Sequence, residues 1–279
     1  MKRILRWRAN LRLKWPKSLP AAPASSSIAQ STSACSTCMV RWRICKNVSL
    51  GCEMAIRTMG TLTIGQAPRS DITPILDAAL PSHVRCLHAG VLDGLDDATI
   101  AARFSPQAGD ALLTSRLLDG RAVVMGKPAV GAALQQKIVD LEAQGCEMIA
   151  ILCTGEFHGL HSQKAWLIEP DRILPPALNA LVGDRRAGIL VPLESQITSE
   201  LEKWRGVHQP PVFAIASPYT ASEEEVAKAA RSLEAQGAEV ILTDCMGYTG
   251  WHQAICARHT ALPVVLSNKL LADLLRNLL

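Results

Sequence analysis

The chain has 279 residues, of which 48% are hydrophobic, so it has room for one large domain or two small ones with a proper core. No apolar run reaches the roughly 18 residues of a transmembrane helix, so no membrane span is predicted. The formal charge of +4 is uneven: residues 1–53 hold ten Lys or Arg and one acid, and the remainder holds 19 Lys or Arg and 24 Asp or Glu. The remainder is mildly acidic, and we predict no nucleic-acid partner.

Residues 1–54 are predicted to be a disordered basic extension, because they show no apolar periodicity that could offset the entropy of ordering. We favour the interpretation that the extension is not native and that translation starts at Met54 or Met59. Its Arg-rich, Ser-rich and acid-poor composition also fits a transit peptide. A third interpretation is a metal site with loose spacing and no accompanying histidine. Its ligands would be Cys35, Cys38, Cys45 and Cys52.

The first half of the remaining chain opens with a predicted strand at residues 60–64, followed by a glycine-containing loop and a helix to about Leu80. Such a turn can place an anion at helix N–H groups, which makes Arg69, Ser70 and Asp71 candidate binding residues. An ordinary strand-to-helix loop also needs Gly and Pro, so both interpretations stay open. A short strand is predicted at residues 84–88. Asp119-Gly120 between two apolar runs predicts a β-hairpin over residues 112–125.

One stretch of the chain occurs twice. Residues 141–159 and 233–251 both begin LEAQG, and they align so that Cys153 falls on Cys245 and Gly155 on Gly247. Each copy predicts the end of a helix, a left-handed glycine, a buried parallel strand and a cysteine where the strand stops. The helix preceding each copy has a helical apolar spacing, and Ser222 with Glu225 predicts a capping box at the second. The repeat therefore predicts two similar halves.

The second half repeats the alternation of strands and helices. Strands are predicted at residues 186–192, 211–216 and 263–266, with a helix from Glu194 to Trp204 and a last helix from Lys269 to about Leu278. This pattern predicts a parallel α/β fold with two lobes, at 55–170 and 171–279, and a hairpin insertion in the first. The pattern is also compatible with a last strand or last helix that packs back against the first lobe.

Two cysteines at equivalent strand ends can face each other across the cleft between two lobes, because ligands of parallel sheets bind at that end of the strands. One thiolate could remove a proton from a carbon acid while the opposite thiol returns one, which needs no metal or other cofactor. Cys153 and Cys245 are therefore the candidate catalytic residues. Further polar groups near the two strand ends are candidates for holding a carboxylate. They are Thr154, Gly155, Gly247, Ser267 and Asn268. Buried structural cysteines are the competing interpretation.

These cysteines carry a resemblance to the aspartate/glutamate racemase superfamily. Cys153-Thr154 takes the place of that family's Cys-Asn-Thr, and Asp244 to Gly247 resembles its second motif, closest to the hydantoin racemase branch. Residues 59–279 resemble the AroM family in the stretches LTIGQAPRSD, EPDRILPPALNALV, LVPLESQ, DCMGY and LPVVLSNKLL. The resemblance implies the two-lobed racemase-like fold. Two departures, the missing Asn and Met246 after the second cysteine, argue against an amino-acid substrate.

The predicted function is a cofactor-independent racemase or isomerase acting on a small carboxylate or cyclic amide. The alternative is a non-catalytic protein that binds a metabolite or regulates through the same cleft. His158 and His161 lack a third ligand, so no metal site is predicted there. Cys86, Cys146 and Cys256 are expected to be ordinary buried thiols in a reducing, cytoplasmic compartment. The sequence is compatible with both a monomer and a homodimer.

Overall fold

The computed structural model describes residues 57–279, which fall within one compact unit. The predictions for residues 1–54, including the interpretation as a cysteine metal site, concern residues outside those that the structure describes. The strands are β1 (Arg57–Thr63), β2 (Val84–Gly90), β3 (Leu112–Arg116), β4 (Ala122–Gly126), β5 (Met148–Ile151), β6 (Trp166–Ile168), β7 (Ala187–Val191), β8 (Val212–Ile215), β9 (Val240–Thr243) and β10 (Val264–Leu266). The helices are α1 (Thr73–Ala79), α2 (Asp97–Phe104), α3 (Lys127–Ala143), α4 (Pro170–Val182), a 3-10 turn (Glu194–Gln196), α5 (Ile197–Lys203), α6 (Glu223–Ala235), α7 (Gly250–His259) and α8 (Ser267–Arg276).

The strands form two four-stranded parallel sheets with the same topology. The first sheet has the order β2-β1-β5-β6, and the second, taken in the matching direction, has the order β8-β7-β9-β10. The duplicated stretches supply the equivalent strands β5 and β9, and α3 and α6 are the helices that precede them. The hairpin β3–β4 is an addition to the first lobe. The two-lobed fold is therefore confirmed, and 55–170 and 171–279 stay the proposed limits of the lobes.

Local sequence signals explain how each copy of the repeat folds. Gly145 and Gly237 end their helices with φ of +84° and +86°, a left-handed conformation that glycine adopts without steric cost. Ser222 accepts a hydrogen bond from the Glu225 N–H and the Glu225 carboxylate accepts one from the Ser222 N–H, which is the predicted capping box. Gly120, with φ of +93°, lies in the predicted hairpin turn.

The core has three parts, and the strands that carry the cysteines contribute to all of them. Alternate residues of β5 and β9 face either a central core between the two sheets or an outer core beneath α3 or α6. Met148 and Leu242 belong to the central core, whereas Ile149 and Ile241 belong to the outer ones. The apolar positions predicted on the two helices are all buried in the outer cores. They are Leu134, Ile138 and Leu141 on α3, and Val226, Ala230 and Leu233 on α6.

Three expectations need refinement. β10 stays in the second sheet, and it is α8 that returns to the first lobe, where it packs against α1. This helix begins at Ser267 rather than Lys269. Cys86 is only half-buried because β2 is an edge strand, whereas Cys146 and Cys256 are buried as expected. No helix described between residues 57 and 279 combines the length and apolarity needed to cross a bilayer.

Candidate functional site

The two cysteines occupy the same place in the two lobes. Cys153 lies two residues beyond β5 and Cys245 two residues beyond β9. Each sulfur accepts a hydrogen bond from the backbone N–H two residues ahead, at 3.3 Å from Gly155 and 3.5 Å from Gly247. The sequence repeat therefore extends to the local turn that holds each sulfur.

Both cysteines line one cavity of about 60 Å³ between the lobes, called here the inner cavity. A single water needs about 10–15 Å³ on this measure, so the inner cavity has room for a small molecule of a few non-hydrogen atoms. Residues 111–114 at the start of the hairpin line it from one side. The Gln196 side chain of the second lobe donates a hydrogen bond to the Leu112 carbonyl at 3.3 Å, which ties the hairpin across the cleft.

A buried charge cluster joins the two cysteine loops. The Lys203 ammonium lies 2.6 and 2.7 Å from the two carboxylate oxygens of Asp244, the residue before Cys245. It also donates to the carbonyl of Thr154, the residue after Cys153, at 2.9 Å. The Thr154 hydroxyl in turn donates to the Asp244 carbonyl, and the Trp204 indole N–H donates to the Asp244 carboxylate at 2.6 Å. These bonds fix the two thiol-bearing loops relative to each other.

The charges in this cluster are set by burial and by pairing. Burial disfavours the ionised form of Asp244, yet the Lys203 ammonium and the hydrogen bonds around it hold the pKa of Asp244 below its usual value. Burial also disfavours the Lys203 ammonium, but Asp244 and Glu200 raise the pKa of Lys203 to about 12. Burial and the Asp244 carboxylate together raise the pKa of Glu200 to about 9. The raised pKa favours the protonated, neutral form of the Glu200 carboxyl group, which lines the inner cavity.

The two thiols have different surroundings. Burial raises the pKa of Cys153 to about 12, and the Gly155 N–H is the main group that opposes this. Burial also raises the pKa of Cys245, but there the Gly247 N–H, the Tyr219 hydroxyl and the Arg69 guanidinium all oppose it. The nearby carboxyl of Asp171 adds to the rise at Cys153, and burial raises the pKa of Asp171 itself to about 6. Of the two thiols, Cys245 has more support for a thiolate.

Tyr219 and Arg69 provide this support from opposite lobes. The Tyr219 hydroxyl lies 3.5 Å from the Cys245 sulfur and accepts a hydrogen bond from Arg69 Nη2 at 3.1 Å. Arg69 is buried and forms a two-point ion pair with Asp71, at 2.8 and 2.6 Å. A Cβ atom on Gly247 would lie 2.4 Å from the Tyr219 ring, so only glycine leaves room for this tyrosine.

A comparison with protein families identifies the family of the chain. The family model described as AroM protein matches residues 59–279. The chain belongs to the AroM family. A comparison with curated proteins finds no match for this AroM chain.

Solved structures with the same fold include several racemases and isomerases. An aspartate racemase from Picrophilus torridus is 15% identical, with a TM-score of 0.50, and the match covers 79% of this chain and 93% of that one. An allantoin racemase from Klebsiella pneumoniae is 13% identical, with a TM-score of 0.53 and coverage of 80% and 87%. A maleate cis-trans isomerase from Nocardia farcinica is 16% identical, with a TM-score of 0.50 and coverage of 80% and 92%. The AroM chain therefore has the fold of the aspartate/glutamate racemases.

The residues predicted from the sequence fall into three groups. Cys153, Thr154 and Gly155 line the inner cavity together with Cys245. Arg69, Asp71 and Gly247 lie around Cys245 without lining the cavity. Arg69 donates a hydrogen bond to Tyr219 and pairs with Asp71, and the Gly247 N–H donates to the Cys245 sulfur. Ser70 is exposed, and Ser267 and Asn268 are buried beneath the second cysteine loop, where they donate hydrogen bonds to backbone carbonyls. None of these last three lines the inner cavity.

Sequence reasoning missed the residues that reach the site from elsewhere in the chain. They are Lys127, Asp171, Glu200, Lys203 and Tyr219. Glu200 and Lys203 lie three residues apart on a helix, which is a signal for an ion pair but not for one that borders a cavity. Across residues 57–279, no group of three or more His, Cys, Asp or Glu side chains is placed to hold a metal ion.

Proposed function

We propose that this protein moves a proton on a small carboxylate or cyclic amide, as a racemase or isomerase that uses Cys153 and Cys245 as its acid and base. The observation that carries the proposal is that both thiols line one small cavity from equivalent strand ends of two duplicated lobes. The two cysteines supply both proton-transfer groups, so the proposed reaction involves no cofactor. Reduced thiols are required, which favours a cytoplasmic location.

The names of proteins with this fold support proton-transfer chemistry at a coarse level. They include racemases of aspartate and allantoin and an isomerase of maleate. A cysteine-to-serine mutant of the Nocardia isomerase carries a covalently bound succinylcysteine intermediate. A variant of the proposal therefore uses one thiol as a nucleophile and the other as a proton donor.

In the proposed step the thiolate of Cys245 removes a proton from the carbon next to a carboxylate or amide carbonyl, and it becomes a thiol. The electron pair of the broken C–H bond moves into that carbonyl group. The Cys153 thiol then gives its proton to the opposite face of the carbon and becomes a thiolate. The configuration is inverted, and the reverse reaction uses the same residues in exchanged roles.

The assignment of Cys245 as the resting base rests on hydrogen bonding. Arg69 only donates hydrogen bonds, so the Tyr219 oxygen accepts from it, and the Tyr219 hydroxyl can donate its own proton to a Cys245 thiolate 3.5 Å away. Within the described part of the chain, Cys153 has only the Gly155 N–H as a donor, and its raised pKa favours the thiol, which is the proton-donating form. One thiolate and one thiol are what a two-base mechanism requires at a single pH.

One observation favours the alternative, a metabolite-binding or regulatory protein without catalysis. Burial raises the pKa of both thiols, which disfavours the thiolate that proton abstraction needs. A binding protein would use the same cavity with both cysteines protonated. It would not exchange protons between its ligand and the solvent.

Solvent exchange separates the two functions. A panel of small carboxylates and cyclic amides is incubated with the protein in D₂O, and deuterium at the carbon next to the carbonyl is followed by NMR. We expect the wild type to exchange deuterium into at least one compound. Cys153→Ser and Cys245→Ser should each lose racemisation of that compound. Cys86→Ser should keep both activities, because its thiol lies outside the cavity. An alcohol has a pKa far above working pH, so serine cannot replace the base. Full activity in both single variants would refute the two-thiol mechanism.

A further inference from the structure

A second cavity adjoins the inner one and is called here the outer cavity. Its volume is about 400 Å³, and it is far more open to solvent than the inner cavity. The two cavities share two lining residues, Ala111 and Lys127. Lys127 therefore borders both cavities, at what is called here their junction.

Lys127 differs from the other cation of the inner cavity. The Lys203 ammonium is already neutralised by both oxygens of Asp244 and also lies 3.2 Å from Glu200. The half-buried side chain of Lys127 forms no hydrogen bond or ion pair with any residue from 57 to 279. Of the two lysines that line the inner cavity, only Lys127 is without an ion-pair partner among residues 57–279.

The helix that begins at Lys127 adds to this positive potential. α3 is 17 residues long, and no side chain caps its N-terminus at Gly126. The N-terminal end of a helix carries a partial positive charge that favours anions. The carboxylates that line the two cavities limit how much negative charge a ligand can bring. They are Asp110, Glu156, Glu200 and Asp244.

We propose that Lys127 binds the carboxylate of the substrate at this junction, with the carbon that loses its proton held between the two thiols. The proposal rests on the proposed function, because it assigns the substrate of that same site to the carboxylates rather than to neutral cyclic amides. Its physical reason is that charge develops on the carboxyl group when the neighbouring carbon loses a proton. A fixed ammonium next to that group stabilises the charge where it forms.

Two alkylating reagents of nearly equal size test the subsite without knowledge of the substrate. Iodoacetate carries a carboxylate, and iodoacetamide is its neutral counterpart. Their rates of reaction with Cys153 and Cys245 are measured peptide by peptide by mass spectrometry. The ratio of the two rates reports anion binding, because the reactivity of the thiol itself cancels from it.

We expect Lys127→Gln to lower the iodoacetate to iodoacetamide ratio about tenfold, the scale of one charge-assisted hydrogen bond. Lys127→Arg should keep most of the ratio. Lys137→Gln is the matched control, because it removes a charge from the same helix at a residue that lines neither cavity. An unchanged ratio in Lys127→Gln, or an equal fall in Lys137→Gln, would overturn the proposal.

A second measurement covers the case in which neither reagent reaches the thiols. The melting temperature is measured in sodium propionate and in sodium chloride at equal ionic strength. We expect propionate to stabilise the wild type and Lys137→Gln but not Lys127→Gln, and equal behaviour of all three would overturn the subsite. The same propionate effect in the Cys153→Ser/Cys245→Ser double variant, without any deuterium exchange by the wild type, would keep the subsite and reject the proposed catalysis.

Discussion

At the scale of single residues, the asymmetry between the two thiols depends on one hydroxyl group. The Tyr219 hydroxyl accepts a hydrogen bond from Arg69 and lies 3.5 Å from the Cys245 sulfur, to which it can donate when that sulfur is a thiolate, whereas no tyrosine among residues 57–279 forms a hydrogen bond with Cys153. Tyr219→Phe removes this donor and keeps the ring that packs on Gly247. We expect the pKa of Cys245 to rise by about one unit, because a hydrogen bond to a charged group contributes about 1.5–3 kcal/mol and one unit corresponds to about 1.4 kcal/mol. The pH dependence of iodoacetamide alkylation, resolved by peptide, measures it.

Cys153 in the same Tyr219→Phe protein is the internal control, and its alkylation curve should not move. In the wild type, Cys245 should react faster than Cys153 at neutral pH, and Cys86, Cys146 and Cys256 should react slowly. An identical pH dependence of Cys245 alkylation in the wild type and in Tyr219→Phe would refute the assignment of Cys245 as the resting base.

At the scale of elements, the short helix α5 brings Glu200 and Lys203 to the cleft, and the stability of the protein should depend on pH through Glu200. Its pKa is raised from 4.5 to about 9, so the folded protein binds a proton that the unfolded chain releases above pH 4.5. Stability from this group is complete below pH 4.5 and is lost as the pH rises toward 9.

Glu200→Gln removes this proton linkage while keeping the shape of the side chain. We expect the free energy of unfolding of the variant to fall less than that of the wild type between pH 5 and pH 9, as measured by urea denaturation at several pH values. Glu202→Gln is the control, because that exposed carboxylate pairs with Arg205 and does not line the inner cavity. Parallel pH profiles for wild type and Glu200→Gln would show that Glu200 is ionised in the folded protein.

At the scale of the whole molecule, the two lobes share a core and should unfold together. The central core contains residues from both sheets, and α8 at the end of the chain packs on α1 near its beginning. Leu242→Ala in this core should lower the free energy of unfolding by about 2–5 kcal/mol. Circular dichroism and tryptophan fluorescence should still report coincident transitions.

The exposed Leu201 provides a control for Leu242→Ala. Its side chain is 48% accessible, whereas Leu242 is fully buried, so Leu201→Ala should change the stability much less. Two separate transitions in the wild type would show that each lobe folds on its own, and the shared core would then contribute little to cooperativity.

The architecture and the placement of the two cysteines at strand ends could be predicted from the amino-acid sequence. The repeat of residues 141–159 at 233–251, the left-handed glycines and the apolar spacing on α3 and α6 all report local burial. Local burial sets which residues form helices and strands, and parallel strands place their carboxyl ends on one edge of the sheet. Two similar lobes with Cys153 and Cys245 at equivalent strand ends follow from these patterns alone.

The groups that surround the thiols could not be predicted from the sequence, because most of them come from distant parts of the chain. Lys203 pairs with Asp244 across 41 residues, and Arg69 reaches Tyr219 across 150. Ser267 and Asn268 look like site residues in the sequence, yet they bond to the backbone beneath the second cysteine loop. Such pairings depend on how the two lobes and the hairpin pack, which no local periodicity encodes. Because charge and pKa follow from burial and from these distant partners, the chemistry of the cleft could be assigned only after the chain was folded.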